Sequence, residues 1–469
     1  MSFNIGLSGL RGAQMDLSVT GNNISNASTV GFKQSRAEFG DVYASAVLGT
    51  GKNSVGSGVL VERIFQQHTQ GNIDYTDNAL DLAINGNGYF IVSEDGQTQY
   101  TRAGYFGLDK DGYIVNNTGK RLQGYEADLQ GNIQSGALGD VRISQSNVEP
   151  NATSEVDVEF NLDATDTVLD PTTFDPTDST TYSYANSTTT YDSLGNPHTL
   201  REYFIKVDPS NANPLIANSY TGGNAWAVVT TLDGNMYQND GSGTTVAADA
   251  WSTSGNTIDD FYHGMLLFNE EGGLAEVHDA VAGGGIDPTT GGGGTTTNAN
   301  QRINLDVAGQ VAGAYFGQAG ATQDQIEFNI LGSTQYGAES AVQSQTQDGY
   351  TTGRLAGMEV SEDGTIFGRY TNGQNRAIGQ VPIATFTSPE NLKAVGSTAW
   401  VETFESGIPT VNMAGTGITG VVEGGALEGS TVDLSEQLVN MIIAQRNYQA
   451  NAKTIQTQDT LTQTIINLR

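Results

Sequence analysis

The chain has 469 residues and a formal charge of −32, from 20 basic and 52 acidic side chains, so it repels nucleic-acid phosphates and anionic membranes. It contains no cysteine, which excludes disulfides, cysteine nucleophiles and thiolate metal sites. With 60 glycines against 10 prolines, the composition favours strands joined by tight turns, in about three domains.

The N-terminal segment, residues 1–28, carries a weak helical pattern. Apolar residues repeat every seven positions, with one more between the first two, as in a coiled-coil seam; they are Phe3, Leu7, Leu10, Leu17 and Ile24. Glycines interrupt the pattern, each costing on the order of 1 kcal/mol, so this helix needs a partner. The segment shows no signal-peptide pattern, and no apolar window of the chain is long enough for a membrane span.

Residues 29–70 are predicted to be an extended connecting segment. The glycines at 86 and 88 predict two strands joined by a tight turn between residues 80 and 92. Hairpins are predicted at four further turns, Asp95-Gly96, Asp111-Gly112, Asp363-Gly364 and Asn372-Gly373. Residues 71–147 and 346–425 share the same pattern of short strand-forming runs separated by turn dipeptides. This similarity predicts one discontinuous β domain interrupted by an insertion.

The insertion, residues 148–345, has 26 acidic side chains against three basic ones, a net charge of 3 − 26 = −23. We expect a solvated, β-rich outer domain. Two glycine runs, at 283–285 and 291–294, lie in threonine-rich sequence with few apolar residues and are predicted to be loops.

The C-terminal segment, residues 430–469, predicts one long helix, and Asp433 with Glu436 resembles a capping box at its start. Apolar residues follow at helical spacing; they are Leu434, Leu438, Met441, Tyr448, Ala452, Ile455, Leu461, Ile465 and Leu468. The two terminal helices could form one intramolecular pair or meet helices of neighbouring copies, and the pattern leaves both possibilities open.

The sequence contains only weak matches to motifs for catalysis or for cofactor and metal binding. The glycines at 415, 417 and 420 match a dinucleotide motif but lack the strand before it and the helix after it. Residues 109–112 lack the remaining ligands of a calcium loop, so a hairpin turn is the better interpretation. The histidines, at 68, 198, 263 and 278, are scattered, and no acid and base pair stands out. We therefore expect no catalytic residue, cofactor or metal, and a protein that is not an enzyme.

Two motifs at opposite ends resemble those of one family. Residues 20–33, T-G-N-N-I-S-N-A-S-T-V-G-F-K, resemble the N-terminal signature of the axial proteins of the bacterial flagellum, which are the rod, hook and hook-associated proteins. Residues 429–453 are similar to the C-terminal signature of the same family. The signature residues are Asn22, Asn23, Asn26, Gly31, Phe32, Lys33, Gln445 and Asn451. Residues 79–91 and 100–106 resemble a segment common to rod and hook proteins, and the long insertion resembles hook proteins in layout.

The resemblance implies an α+β, multi-domain fold, in which N- and C-terminal helices pair in a coiled-coil-like layer followed by discontinuous, mostly-β outer domains. It implies a structural subunit that self-assembles into a curved, flexible tube, a universal joint that transmits torque from rod to filament around an export channel. The implied partners are other copies of the chain, the distal rod protein, the hook–filament junction protein, the hook cap protein and the flagellar type III export apparatus.

The implied location is the flagellum at the cell exterior, reached without a cleaved signal peptide, with no nucleic-acid partner and no membrane insertion. The alternatives are another axial role, as a rod or hook-associated protein, and an extracellular adhesive or carbohydrate-binding β protein. The terminal helices distinguish them, because an adhesin does not require unpaired helical stripes at both ends.

Overall fold

The structure is a computed structural model of the chain. It describes residues 2–42, 56, 58–94, 96–128, 130–134, 136–144, 146–208, 224–237, 245–247, 264–279, 295–297, 302–306 and 325–467. The chain divides into two compact units. The first unit comprises Met1–Ser146 with Leu355–Arg469, and the inserted unit comprises Asn147–Arg354.

The first segment of the first unit begins with helix α1, Ser2–Ser25. Its strands are β1 Ser35–Asp41, β2 Val59–Gln66, β3 Ile73–Tyr75, β4 Leu82–Asn85, β5 Phe90–Glu94, β6 Gln97–Thr101, β7 Phe106–Leu108, β8 Ile114–Asn116, β9 Arg121–Glu126 and β10 Gly139–Asp140. The predicted connecting segment, residues 29–70, is therefore not simply extended. It contains the antiparallel β1–β2 hairpin, whose residues Phe39 and Val59 approach α1 at Gly12.

The inserted unit consists of two sheets that enclose an apolar core. Its strands are β11 Glu155–Asp163, β12 Tyr184–Tyr191, β13 Pro197–Val207, β14 Asn224–Leu232, β15 Asn235–Tyr237, β16 Thr245–Ala247, β17 Gly264–Phe268, β18 Leu274–Asp279, β19 Thr295–Thr297, β20 Arg302–Asp306, β21 Gln325–Asn329, β22 Thr334–Tyr336 and β23 Ala341–Gln347. One sheet has the order β20-β21-β11-β22 with β23 also on β11, and the other follows β12-β13-β14-β17-β18-β19, with β15 and β16 beyond β14. Side chains of both sheets, such as Phe160 and Phe204, form the core.

The second segment of the first unit completes its sheets and ends in helix α2, Leu434–Asn467. Its strands are β24 Leu355–Val360, β25 Thr365–Tyr370, β26 Asn375–Gln380, β27 Ile383–Thr385, β28 Lys393–Gly396, β29 Ala399–Val401, β30 Thr410–Asn412, β31 Val421–Gly424 and β32 Ala426–Glu428. An 11-stranded sheet of order β24-β25-β26-β9-β5-β6-β29-β28, with β7, β8 and β10 beside it, draws strands from both segments. Residues 346–354 belong to the inserted unit rather than to the predicted second segment, because β23 pairs with β11 and the residues after it bridge to Val148 and Asn151.

The four hairpins predicted from turn dipeptides are confirmed, since β5 pairs with β6, β7 with β8, β24 with β25, and β25 with β26, all antiparallel. The turn at Gly86 and Gly88 joins two strands as predicted, with φ angles of 114° and 126°. These strands do not form a hairpin, however, because β4 pairs with β31 and β5 with β6 and β9. The predicted loops at 283–285 and 291–294 lie outside the described residues.

The two terminal segments are helical and pack against each other, which confirms the predicted pair of N- and C-terminal helices. At 1.5 Å per residue the 34 residues of α2 span about 51 Å. Asp433 caps α2, because its Oδ1 accepts hydrogen bonds from the backbone N–H groups of Ser435, at 2.8 Å, and Glu436, at 3.2 Å. Neither described helix is both long and apolar enough for a membrane span.

Candidate assembly site

The contact between α1 and α2 depends on glycines in α1. A Cβ added at Gly9 would lie 2.5 Å from Oδ1 of Asn451, and one at Gly6 would lie 3.0 Å from Cγ1 of Ile455. Because the start of α1 meets the second half of α2, the two helices run antiparallel. The glycines that weaken α1 as an isolated helix thus permit close approach to its partner.

Asn23 joins the other end of α1 to its surroundings. Its side chain is 2% exposed. The amide donates to the carbonyl oxygen of Ser35 at 2.7 Å and to Oε1 of Gln437 at 3.2 Å, and its Oδ1 accepts from the Ser35 N–H at 2.9 Å. One signature asparagine therefore connects α1, β1 and α2.

The side of α2 that faces α1 mixes polar and apolar residues, since Asn451 and Ile455 lie against Gly9 and Gly6 and Gln437 bonds to Asn23. Buried or half-buried residues recur on α2 every seven positions; they are Gln437, Ala444, Asn451 and Gln458, with the half-buried Met441 and Ile455 between them. Polar groups at such positions favour one register over others at a cost in stability.

The residues of the predicted apolar stripes are divided between half-buried and exposed positions. The half-buried members are Leu7, Leu10, Leu17, Ile24, Met441, Ala452 and Ile455. The exposed members are Phe3, Leu434, Leu438, Tyr448 and Leu461. The side chain of Ile465 and the whole of Leu468 lie outside the described residues. The sequence pattern thus identified helical apolar positions without separating those that face α1 from those that face solvent.

An apolar patch covers the first three turns of α2. Its members are Leu434, Leu438, Val439, Ile442 and Ile443, each between 46% and 56% exposed. Val439, Ile442 and Ile443 were not among the predicted assembly residues, and Val439 and Ile443 fall outside a single helical stripe. So many large apolar side chains exposed within ten consecutive residues are typical of an interaction surface rather than of scattered surface residues.

Most of the remaining signature residues lie in the turn after α1. The Asn26 amide donates to the carbonyl oxygen of Asn22 at 2.9 Å, which closes the end of the helix. Gly31 has a φ of 69°, and a Cβ there would lie 2.6 Å from the backbone nitrogen of Ala103. Only glycine fits this position. Phe32 is half-buried beside it, and Gln445 is exposed on α2.

Lys33 forms a buried ion cluster that sequence analysis did not predict. Its Nζ lies 2.6 Å from Oε1 of Glu428 and donates to the carbonyl oxygen of Thr69. The other carboxylate oxygen of Glu428 lies 2.8 Å from NH1 of Arg102, whose NH2 donates to the carbonyl oxygen of Gly86 at 2.6 Å. All three charged side chains are at most 5% exposed. Arg102 lies in a segment already matched to rod and hook proteins, and Glu428 directly precedes the C-terminal signature.

The charges in this cluster are mutually dependent. Burial alone would raise the pKa of Glu428, but Arg102 and Lys33, with the Gly71 N–H, hold that pKa below its ordinary value. Burial lowers the pKa of Lys33, and Glu428 opposes this effect. Removing the carboxylate would leave two buried cations without a counter-charge, which is far more costly than losing a surface ion pair.

His68 lies beside the cluster. Its Nδ1 is 2.7 Å from the hydroxyl of Tyr89, and its ring packs edge-on against Trp400 with centroids 5.4 Å apart. Burial, then the charges of Lys33 and Arg102, lower the pKa of His68 to about 4. The imidazole is therefore neutral at physiological pH and contributes packing to the base of the helix pair.

The two motifs that resemble ligand-binding loops are turns in the structure. The candidate calcium loop is a hairpin turn, in which Oδ1 of Asp109 accepts from the N–H groups of Asp111 and Tyr113, each at 2.8 Å. The glycine motif is also a turn, closed by a hydrogen bond of 2.8 Å from Gly415 N–H to the Gly420 carbonyl. In the described part of the chain, no three His, Asp or Glu side chains are grouped to hold a metal ion.

Four family models match the chain in the order of its segments. The flagella basal body rod protein model matches residues 3–33, and the flagellar hook protein FlgE/F/G D1 domain model matches residues 83–164. The flagellar basal body protein FlaE D2 domain model matches residues 161–350, and the flagellar basal body rod FlgEFG protein C-terminal model matches residues 423–468. The matches include both terminal helices and most of the inserted unit.

Full-length relatives are described as flagellar hook protein FlgE. The chain is 36% identical to one from Salmonella typhimurium over 474 residues, covering 100% of both proteins. It is 32% identical to one from Treponema pallidum, covering 99% of this chain and 98% of the relative. A crystal structure of Helicobacter pylori flagellar hook protein FlgE2 covers 75% of this chain and 99% of its own, with 12% identity and a TM-score of 0.47.

Proposed function

The chain belongs to the flagellar hook protein family, and we propose that its copies assemble through the apolar patch on α2. As a hook protein it is a structural subunit of the bacterial flagellum and polymerises with copies of itself. The patch would be covered by a neighbouring copy, so that helix pairs form a continuous inner layer of a curved, flexible tube around an export channel.

The exposure of the patch carries this proposal. Its five side chains are about half exposed, and burying the remainder would contribute roughly 1 kcal/mol each, on the order of 5 kcal/mol per copy. That free energy is available only when a second surface covers the patch. The patch lies outside the buried and half-buried positions of α2, so its side chains are free for this contact.

Assembly would also stabilise the helices. Four glycines weaken α1, and its contact with α2 includes the polar side chains of Gln437 and Asn451, so we propose that the pair is marginal in a single copy and becomes stable in the polymer. A marginal helix pair would suit passage through the type III export apparatus in an unfolded state. The distal rod protein, the hook–filament junction protein and the hook cap protein would be the partners at the ends of the tube.

Polymerisation of purified protein tests the role of the patch. The double variant Leu438→Gln with Ile442→Gln should remain folded but form few or no tubes in electron micrographs and sediment as monomer. The matched control is Leu331→Gln with Leu194→Gln, which removes two similarly exposed apolar side chains, 57% and 52% exposed, from the inserted unit. The control should polymerise as the parent does. Equal polymerisation of the double variant and the parent would overturn the proposal.

A further inference from the structure

A glutamate lies inside the core of the inserted unit. Glu202 is on β13 with its side chain toward the second sheet, and it is 3% exposed. Across the sheet it faces Asn186 on β12 and Thr230 on β14. Apolar side chains, including Val158, Phe160, Phe204 and Phe328, surround the carboxyl group. An acidic group rarely occupies such a position without a cation beside it.

The carboxyl group of Glu202 is only partly satisfied by hydrogen bonds. Its Oε1 accepts from the hydroxyl of Thr188 at 3.2 Å, and that hydroxyl accepts from Nε2 of Gln345 at 2.6 Å. Its Oε2 has no hydrogen-bond partner among the described residues. The group adjoins a small cavity of about 10 Å³ that is lined mostly by apolar side chains.

Charged groups on the surrounding strands point elsewhere. On β11 the buried residues alternate with Glu155, Asp157 and Glu159, which are half-buried or exposed on the opposite face. Glu327 on β21 also alternates with the buried positions, and the remaining neighbours β12, β14 and β23 carry no charged residue within their bounds.

On β13 itself, Arg201 is exposed, Lys206 donates to the carbonyl oxygens of Ala164 and Asp166, and His198 contacts Asp192 and Asp233. In the described part of the chain, no lysine or arginine forms an ion pair with Glu202.

We infer that Glu202 is a proton-binding site that controls the stability of the inserted unit. The unit is more stable when the carboxyl group is neutral and less stable when it is ionised. A neutral acid needs no counter-charge among these apolar side chains. An ionised carboxylate would lose most of its hydration without gaining a cation.

The expected direction of the pH effect follows from the burial of Glu202. Burial raises its pKa from the ordinary value of 4.5 to about 7, although hydrogen bonding from the side chains of Thr188 and Asn186 acts in the opposite direction. Because the folded state then holds the proton more tightly than the unfolded chain, the proton contributes stability below pH 4.5, and this contribution is lost as the pH rises through 7. The inference concerns a single copy and does not depend on the assembly proposed above.

Urea unfolding of the full-length parent and Glu202→Gln proteins tests the inference. Pulsed hydrogen exchange with mass spectrometry can follow peptides from β13 and β14, with a peptide from β5 reporting on the first unit. At pH 5.5, between the two pKa values, only part of this contribution is lost, so the midpoints of the two proteins for the inserted unit should differ less than they do at pH 8. At pH 8 the parent should unfold at a lower midpoint than the variant, by about 0.5 M urea or more.

Glu159→Gln is the matched control, because it removes the same charge from an exposed position on β11. Its midpoint difference from the parent should be the same at both pH values, which separates burial from the general repulsion of an acidic unit. A difference between parent and Glu202→Gln that does not change with pH would overturn the inference.

If Glu202→Gln fails to fold, infrared spectroscopy of the parent gives a second test. The carbonyl stretch of a buried, protonated carboxylic acid should be present at pH 5.5 and absent at pH 8. Absence of this band at pH 5.5 would equally overturn the inference.

Discussion

Nζ of Lys33 lies 2.6 Å from Oε1 of Glu428, so a residue just after α1 and a residue just before α2 share one buried ion pair. Arg102, at the end of β6, binds the other carboxylate oxygen at 2.8 Å. The bases of both terminal helices are therefore fixed to each other and to the β structure of the first unit.

Replacing this carboxylate should strongly destabilise the first unit. Glu428→Gln leaves Lys33 and Arg102 buried without a counter-charge, and we expect a loss of about 3 to 5 kcal/mol in its free energy of unfolding. Urea unfolding followed by hydrogen exchange at β5 measures this loss. The matched control Glu405→Gln changes an exposed glutamate of the same unit and should change stability by less than about 0.5 kcal/mol. Similar effects of the two substitutions would refute a central role for the ion cluster.

The neutral imidazole of His68 should make the first unit sensitive to acid. Its pKa is about 4 in the folded chain against an ordinary value of 6.5, so the unfolded chain binds the proton more readily between these values. The associated stability is present above pH 6.5 and is lost as the pH falls towards 4. We expect His68→Gln to reduce the acid-induced loss by on the order of 2 kcal/mol between pH 6.5 and 4.5. Parallel pH profiles for parent and variant would contradict this assignment.

The glycine contact between the helices should be sensitive to a single methyl group. In Gly9→Ala the new Cβ would lie 2.5 Å from Oδ1 of Asn451, so the asparagine must move or the helices must separate. We expect a cost of roughly 1 to 3 kcal/mol, measured as faster hydrogen exchange in α1.

Two further variants make the glycine test specific. Gly21→Ala introduces the same methyl group where no atom lies within 4 Å, and it should slow exchange in α1 because alanine favours the helix. Gly9→Ala combined with Asn451→Ala should recover most of the lost protection. A failure of this double variant to recover would show that the cost at Gly9 does not arise from contact with Asn451.

Local rules predicted the elements whose cause lies within a few residues. Asp433 caps α2 as expected, and dipeptides such as Asp111-Gly112 form hairpin turns because their preferences are set by neighbouring backbone groups. The turn at Gly86 shows the limit of these rules. A turn sequence determines where the chain changes direction but not which strands pair. Here β4 pairs with β31, which lies more than 300 residues away in the sequence.

The candidate site was predictable in its location but not in its chemistry. Apolar spacing indicated helices at both ends, yet the side that faces α1 carries Gln437 and Asn451, because glycines bring the two backbones close. The ion pair of Lys33 with Glu428 could not be predicted, since its partners are 395 residues apart and any of the 52 acidic side chains could have been chosen. Family signatures marked Lys33, and only the fold showed its partners.

Cysteine labelling tests most directly whether the apolar patch is covered on assembly, because the parent chain contains no cysteine of its own. Leu438→Cys should react rapidly with a maleimide in monomeric protein and at least about tenfold more slowly in polymerised tubes. Leu331→Cys, in the inserted unit, should react at similar rates in both forms. Equal reactivity of the cysteine at position 438 in monomer and tube would show that the patch remains open to solvent and would contradict assembly through α2.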